Sequence, residues 1–144
     1  MENQSYANHV KLVTPYHKVL FPVLLLTLGG ASVNLYQSIG DHERIYSASL
    51  ILVMVVALVA TALFARIFAL KAQDRAIRVE ENLRHYVMTG KLLDPRLTTR
   101  QIIGLRFASD GEFVELAKKA AEQATSEKDI KQSIKNWKAD LYRV

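Results

Sequence analysis
The sequence predicts an all-α membrane protein: a transmembrane helical hairpin, its second helix extended into a cytoplasmic stalk, followed by three short amphipathic helices. Three observations carry this reading. Residues 19–40 and 45–65 contain no Asp, Glu, Lys or Arg, and each run matches the roughly 20 residues needed to cross a hydrocarbon core about 30 Å thick. No Gly or Pro interrupts residues 46–89, so the second helix should continue well past the membrane. Beyond it, three hydroxyl residues each stand three positions before a side chain able to complete a capping box. The expected units are a lead-in over residues 1–18, a hairpin over 19–70 with spans near 19–40 and 45–66, a stalk over 71–90 and a three-helix module over 91–144.

In the lead-in, Tyr6, Tyr16, His9 and His17 stand near the expected membrane surface, where Tyr is commonly an interfacial anchor. Pro15 and Pro22 bracket the entry to the first span, and Pro22 suits a first helical turn, whose amide has no intrahelical partner. The first span carries Gly29, Gly30, Ala31 and Ser32 near its middle; the second carries Ala57, Thr61 and Ala65 at four-residue spacing. Antiparallel pairing around a turn near Asp41 to Arg44 brings Gly29 and Gly30 level with Ala57. Small residues facing one another allow close backbone approach, and this packing role is favoured over a ligand pocket. Asn34 should face the partner helix or the outer interface. A signal peptide is the competing reading of the first run, since residues 29–32 are small; the long, weakly charged segment before them favours a span.

The first stop signal after residue 46 is Gly90, suited to a left-handed helix cap. A helix over 46–89 is roughly 66 Å long, about twice the hydrocarbon thickness, so its second half should stand out as a stalk. Asp74 with Arg78 and Glu80 with Arg84 have the i, i+4 spacing of helix-supporting ion pairs. Val79, Leu83, Tyr86 and Val87 form an apolar stripe that needs a cover. The capping signals are Thr98 with Gln101, Ser109 with Glu112 and Ser126 with Asp129. The corresponding apolar faces are Ile102, Leu105 and Phe107; Phe113, Leu116, Ala117, Ala120 and Ala124; and Ile130, Ile134, Trp137 and Leu141. So little helix cannot bury a generous core alone, and these helices should pack on the stalk stripe or on another protein.

Charge sets the expected topology. From Arg66 onward lie sixteen of the nineteen basic residues, against eleven acids, while the connection between the spans carries Arg44 against Asp41 and Glu43. Because Lys and Arg beside a span resist translocation, both termini should be cytoplasmic, with Asp41 to Arg44 outside. Arg66, Lys71, Arg75 and Arg78 form a basic cluster just inside the second span, suited to anionic lipid headgroups. Lys128, Lys131, Lys135 and Lys138 recur at helical spacing beside the last apolar face, as a solvated face or as contacts for an acidic partner, lipid or nucleic acid. A helix-turn-helix fits poorly, since the middle helix is too long and the lysines suit phosphate rather than base contact.

No nucleophile stands beside a base, no glycine loop is built to cradle phosphate, and the spans hold no carboxylate pair. No enzyme activity or cofactor is therefore expected. His9, His17 and His85 are the candidates for a haem or metal site, but no pair has i, i+3 or i+4 spacing. With no Cys in the chain, disulfides and thiolate metal sites are excluded.

Three stretches carry a resemblance: Gln4-Ser5-Tyr6-Ala7-Asn8-His9 with Pro15-Tyr16-His17; Gln73-Asp74-Arg75-Ala76-Ile77-Arg78; and Leu105-Arg106-Phe107-Ala108-Ser109-Asp110 with Ile130-Lys131-Gln132-Ser133-Ile134-Lys135-Asn136-Trp137-Lys138-Ala139-Asp140. The chain resembles, over nearly its whole length, a family of small bacterial two-span membrane proteins catalogued only as a domain of unknown function. The resemblance implies a bacterial source, hence the inner (plasma) membrane, and a cytoplasmic helical C-terminal region. It supplies no activity or site residues. The expectation is a non-enzymatic accessory or scaffold protein presenting its cytoplasmic module to a larger membrane complex or to a homo-oligomer. Val79, Leu83, Tyr86, Val87 and Trp137 are its partner-facing candidates, and membrane lipids its other partner. The alternatives are a membrane-tethered nucleic-acid or ribosome binder using the four lysines, and a haem or metal enzyme using the histidines.

Overall fold
The computed structural model describes Ser5, Tyr6 and residues 13–140 of the chain. A π-helical stretch, Pro15–Leu20, leads into α1 (Phe21–Gln37), followed by α2 (His42–Thr89), α3 (Thr99–Leu105), α4 (Asp110–Gln123) and α5 (Glu127–Ser133). Two helices, Pro15–Gln37 and His42–Thr89, are long and apolar enough to cross a membrane. The expectations placed on His9 and Leu141 lie outside the described residues. Two compact units are present, one of Leu12–Ala69 and one of Met1–Lys11 with Leu70–Val144.

In the Leu12–Ala69 unit the first helix begins at Pro15, earlier than the start expected at Pro22. Pro22 therefore sits inside continuous helical winding, where proline donates no hydrogen bond and crowds the carbonyl four residues back. The winding widens to accommodate it: the Phe21 N–H reaches the Tyr16 carbonyl, five residues back, as in a π-bulge. The Tyr16 hydroxyl donates to the Ala62 carbonyl at 2.8 Å, tying the start of this helix to α2. Hydroxyls within the apolar stretches bond back to carbonyls one turn earlier, Thr27 to Val23, Ser32 to Leu28 and Thr61 to Ala57, each at 2.8 Å, which satisfies them without water.

Burial in this unit follows a three-four alternation. On α1 and its C-terminal cap it falls on Ala31 and Ser38, with Leu24, Leu28 and Leu35 half-buried; on α2 it falls on Ala48 and Val55, with Ile45, Leu52, Val59 and Ala62 half-buried. The small residues expected to pack, Gly29, Gly30, Ala57, Thr61 and Ala65, lie off these rows. All five are exposed, and a Cβ built at Gly29 or Gly30 meets nothing within 4 Å. Small size permits close approach but does not choose the face. The turn also lies earlier than expected: Gly40 adopts φ 94°, and the Asp41 carboxylate accepts from the N–H groups of Glu43 and Arg44 at 3.1 and 3.3 Å, starting α2 at His42.

In the second unit α2 ends where Gly90, at φ 72°, takes the left-handed cap the sequence calls for. The chain then turns back on the helix: the Leu93 N–H donates to Asn82 Oδ1 at 3.2 Å, and His85 Nδ1 bonds the Lys91 carbonyl at 2.7 Å. Thr98 and Gln101 form the complete capping box. Gln101 is buried, and its amide also donates to the carbonyls of Ala120 and Thr125 at 3.2 and 2.9 Å, so α3 is fastened to the end of α4. Helix α3 packs closely on α5 at Gly104, where a Cβ would stand 3.2 Å from the Glu127 carbonyl oxygen. Phe107, Phe113, Leu105 and Ile130 are the largest fully buried side chains of the core, and Ile77 joins it from α2.

The third helix stops short of its expected length. It ends at Ser133, and residues 134–140 run on without helix. Glu112 provides the reason. Its carboxylate accepts from the Ser109 hydroxyl at 3.3 Å and also from the backbone N–H groups of Lys135 and Asn136 at 3.2 and 2.9 Å. Two further bonds, Ser109 N–H to the Asn136 carbonyl at 3.0 Å and Lys138 N–H to the Phe107 carbonyl at 2.8 Å, complete an antiparallel bridge between Ala108 and Trp137. These backbone groups would otherwise serve a helix; here they tie the tail to the start of α4.

Candidate functional site
The C-terminal part of α2 has two unlike faces. Ile77 and Glu81 are buried, and Arg84 and His85 half-buried, beneath the unit formed with α3 to α5. The stripe expected to receive those helices is left open: Val79 is 68% exposed, Leu83 60%, Tyr86 53% and Val87 76%. At 3.6 residues per turn Val79 lies about 160° around the helix from both Ile77 and Glu81, so the module covers the face opposite the stripe. What decided the face is polar as much as apolar. Arg84 donates from Nη1 to Glu81 Oε2 at 3.0 Å, from Nε to Asp110 Oδ1 at 2.8 Å and from Nη2 to the Ala108 carbonyl at 2.7 Å, with its guanidinium 4.2 Å above the Phe113 ring. The side chains of Arg84 and Glu81 are only 12% and 8% exposed.

This arrangement replaces the Glu80–Arg84 pair expected from spacing, since Arg84 turns to Glu81 and Asp110. Asp74 and Arg78 likewise form no ion pair among the described residues. The Arg84 hydrogen bond and charge hold the Asp110 carboxyl below its ordinary pKa. For Glu112, burial opposes ionisation, but the donors of Asn136, Lys135 and Ser109 outweigh it and the pKa is lowered. Asp94 is lowered to about 2 by its hydrogen bonds with Arg96, in the loop before α3.

An open groove of about 390 Å³ flanks the stripe, lined by Glu80, Leu83, Arg84, Val87, Met88 and Asp110. Trp137, also expected to face a partner, is instead half-buried against Phe107, with ring centroids 5.0 Å apart. The four lysines expected on one helix are dispersed. Lys128 is exposed on α5, Lys131 pairs with Glu127 at 2.6 Å and stands 5.5 Å from the Phe107 ring centroid, and Lys135 and Lys138 lie beyond the helix. Lys71, Arg75 and Arg78 are exposed and Arg66 is half-buried, none in an ion pair among the described residues.

His17 bonds the Val13 carbonyl at 3.1 Å, and His85 is engaged by Lys91 and packed edge-on to Phe113. Among the described residues, no group of three or more His, Cys, Asp or Glu side chains is placed to hold a metal ion. Neither the Arg84 centre nor the tail contacts of Glu112 follow from residue spacing in the sequence. The i, i+3 pair Glu81 and Arg84 is visible in sequence, but nothing there identifies Asp110 as the third member.

A family model described as "Family of unknown function (DUF6526)" matches residues 1–144. No curated protein and no solved structure matches the chain.

Proposed function
The chain belongs to this family of unknown function, and with no activity to inherit from it we propose that the protein is a small, non-enzymatic membrane accessory or scaffold. In this reading 15–37 and the first half of α2 form a transmembrane hairpin. The second half of α2 is a cytoplasmic stalk that carries the α3 to α5 module and offers its open face to a larger membrane complex or a homo-oligomer. One observation carries the proposal: Val79, Leu83, Tyr86 and Val87 remain exposed although the module has a core of its own packed on the other side of the same helix. A contiguous apolar face of this kind marks an interaction surface. The anchor half rests on the two long apolar helices and on the charge asymmetry around them.

Purification in mild detergent followed by mass measurement tests the proposal. The expected result is a species heavier than the 16.2 kDa chain after subtraction of detergent, formed with another protein or with further copies. A strict monomer with nothing co-purifying would count decisively against it.

A further inference from the structure
The open face of α2 has a finer pattern than a stripe. Ala72, Ala76, Val79, Leu83 and Tyr86 are all exposed and succeed one another at spacings of four, three, four and three. That is the heptad alternation of a coiled-coil seam, and it runs along an uninterrupted helix. The positions flanking such a seam decide partner and orientation. On one side stand Arg75, Asn82 and Thr89; on the other stand Gln73, Glu80 and Val87. Arg75 and Glu80 are both exposed, and neither forms an ion pair among the described residues.

We propose that the partner for this face is a second copy of the chain, docked parallel and in register along Ala72, Ala76, Val79, Leu83 and Tyr86. In a parallel coiled coil the residue preceding one seam position meets the partner residue five places further on. Arg75 thus meets the partner's Glu80, and twofold symmetry makes the same pair a second time. An antiparallel pairing sets each flank against itself, giving Arg75 only Asn82, Thr89 or another arginine, and Glu80 only Gln73, Val87 or another glutamate. No pair of opposite charge results, so the charge pattern selects the parallel arrangement. Two copies inserted the same way in one membrane are also parallel; in this respect the inference rests on the proposed membrane anchor. The seam is free for pairing because α3 to α5 pack against the Ile77 and Glu81 side of the helix.

The chain has no Cys, which makes disulfide mapping direct. Single substitutions Ala76→Cys, Val79→Cys, Leu83→Cys and Tyr86→Cys, with Arg78→Cys and Lys119→Cys as exposed controls, are made in the full-length chain in membranes and treated with mild oxidant. Each seam position faces its own copy in a parallel, in-register pair, so all four should give disulfide-linked dimers and the two controls should not. Arg75→Glu should lower the Leu83→Cys yield several-fold, and adding Glu80→Arg should restore it. Crosslinking at one seam position alone indicates an antiparallel pair; equal crosslinking everywhere indicates collision. Either result, or failure of the charge exchange to rescue, overturns the inference. If no position crosslinks, mass measurement separates two failures. A different co-purifying protein removes the second copy but leaves the scaffold reading standing, whereas a lone monomer removes both.

Discussion

Arg84→Met should be among the most damaging single changes in the unit that carries α3 to α5. Arg84 and Glu81 have side chains 12% and 8% exposed, and removing one partner of a buried ion pair costs about 3–5 kcal/mol because the other charge is left uncompensated. The Ala108 carbonyl also loses its donor, a loss of about 1–3 kcal/mol for a buried acceptor that overlaps with the first figure and is not added to it. The Asp110 arm contributes little, because its side chain is 75% exposed and screened by water. A loss of about 3–5 kcal/mol is a large part of the ~5–15 kcal/mol typical of a whole domain. Trp137, the one tryptophan, lies 5.0 Å from the Phe107 ring and reports this unit by fluorescence during urea unfolding of the full-length protein in mild detergent. Glu81→Met with Arg84→Met leaves no stranded charge and should show less than half the loss of Arg84→Met alone. An Arg84→Met protein within about 1 kcal/mol of the wild type, well below that range, would refute the assignment of Arg84 as the central buried pair.

Further outcomes follow from the tail, the helix contact and the anchor. Glu112 has a folded-state pKa below its ordinary 4.5, so its stabilisation is complete above that value and is lost as pH falls through the lowered one. Glu112→Gln should flatten the acid limb of the stability curve and speed amide exchange at Lys135 and Asn136; unchanged exchange would break the link between that carboxylate and the tail. Gly104→Val drives a side chain into the Glu127 carbonyl and Ile130 and should lower stability by roughly 1–3 kcal/mol in the same urea assay, with no loss meaning that α3 and α5 slide apart freely. Reporters fused before Met1 and after Val144 should both read cytoplasm and one between Asp41 and Arg44 the outside. Reversing Arg66, Lys71, Arg75 and Arg78 to acids should weaken that preference, leaving Lys11 and Lys18 as anchors; an external C-terminus in the unaltered chain would overturn the cytoplasmic module.

The sequence was most legible where one local rule acts alone. Gly90 ends α2 because it readily takes positive φ, and Thr98 with Gln101 starts α3 because both members of the box lie within four residues. It was least legible where a distant group competes for the same atoms. Spacing extends a helix through Lys135 and Lys138, but Glu112, more than twenty positions away, takes the N–H groups of Lys135 and Asn136. Spacing also pairs Glu80 with Arg84, yet Asp110 and the Ala108 carbonyl, brought in by the start of α4, draw the guanidinium the other way. The stripe Val79, Leu83, Tyr86 and Val87 was visible from periodicity alone. That it would stay uncovered was not, since this depends on which face of α2 the Arg84 centre holds against the core.

The direct test is whether that stripe is covered in the assembled protein. Val79→Cys, Leu83→Cys and Val87→Cys, made singly in the full-length chain in its native membrane, are compared with Glu115→Cys and Lys119→Cys on the exposed surface of α4 for their rate of reaction with a water-soluble maleimide. A docked stripe predicts reaction at least several-fold slower at the three α2 positions, with the rates converging when the assembly is dispersed in harsher detergent. Equal, fast reaction at all five positions in the intact membrane would contradict the account.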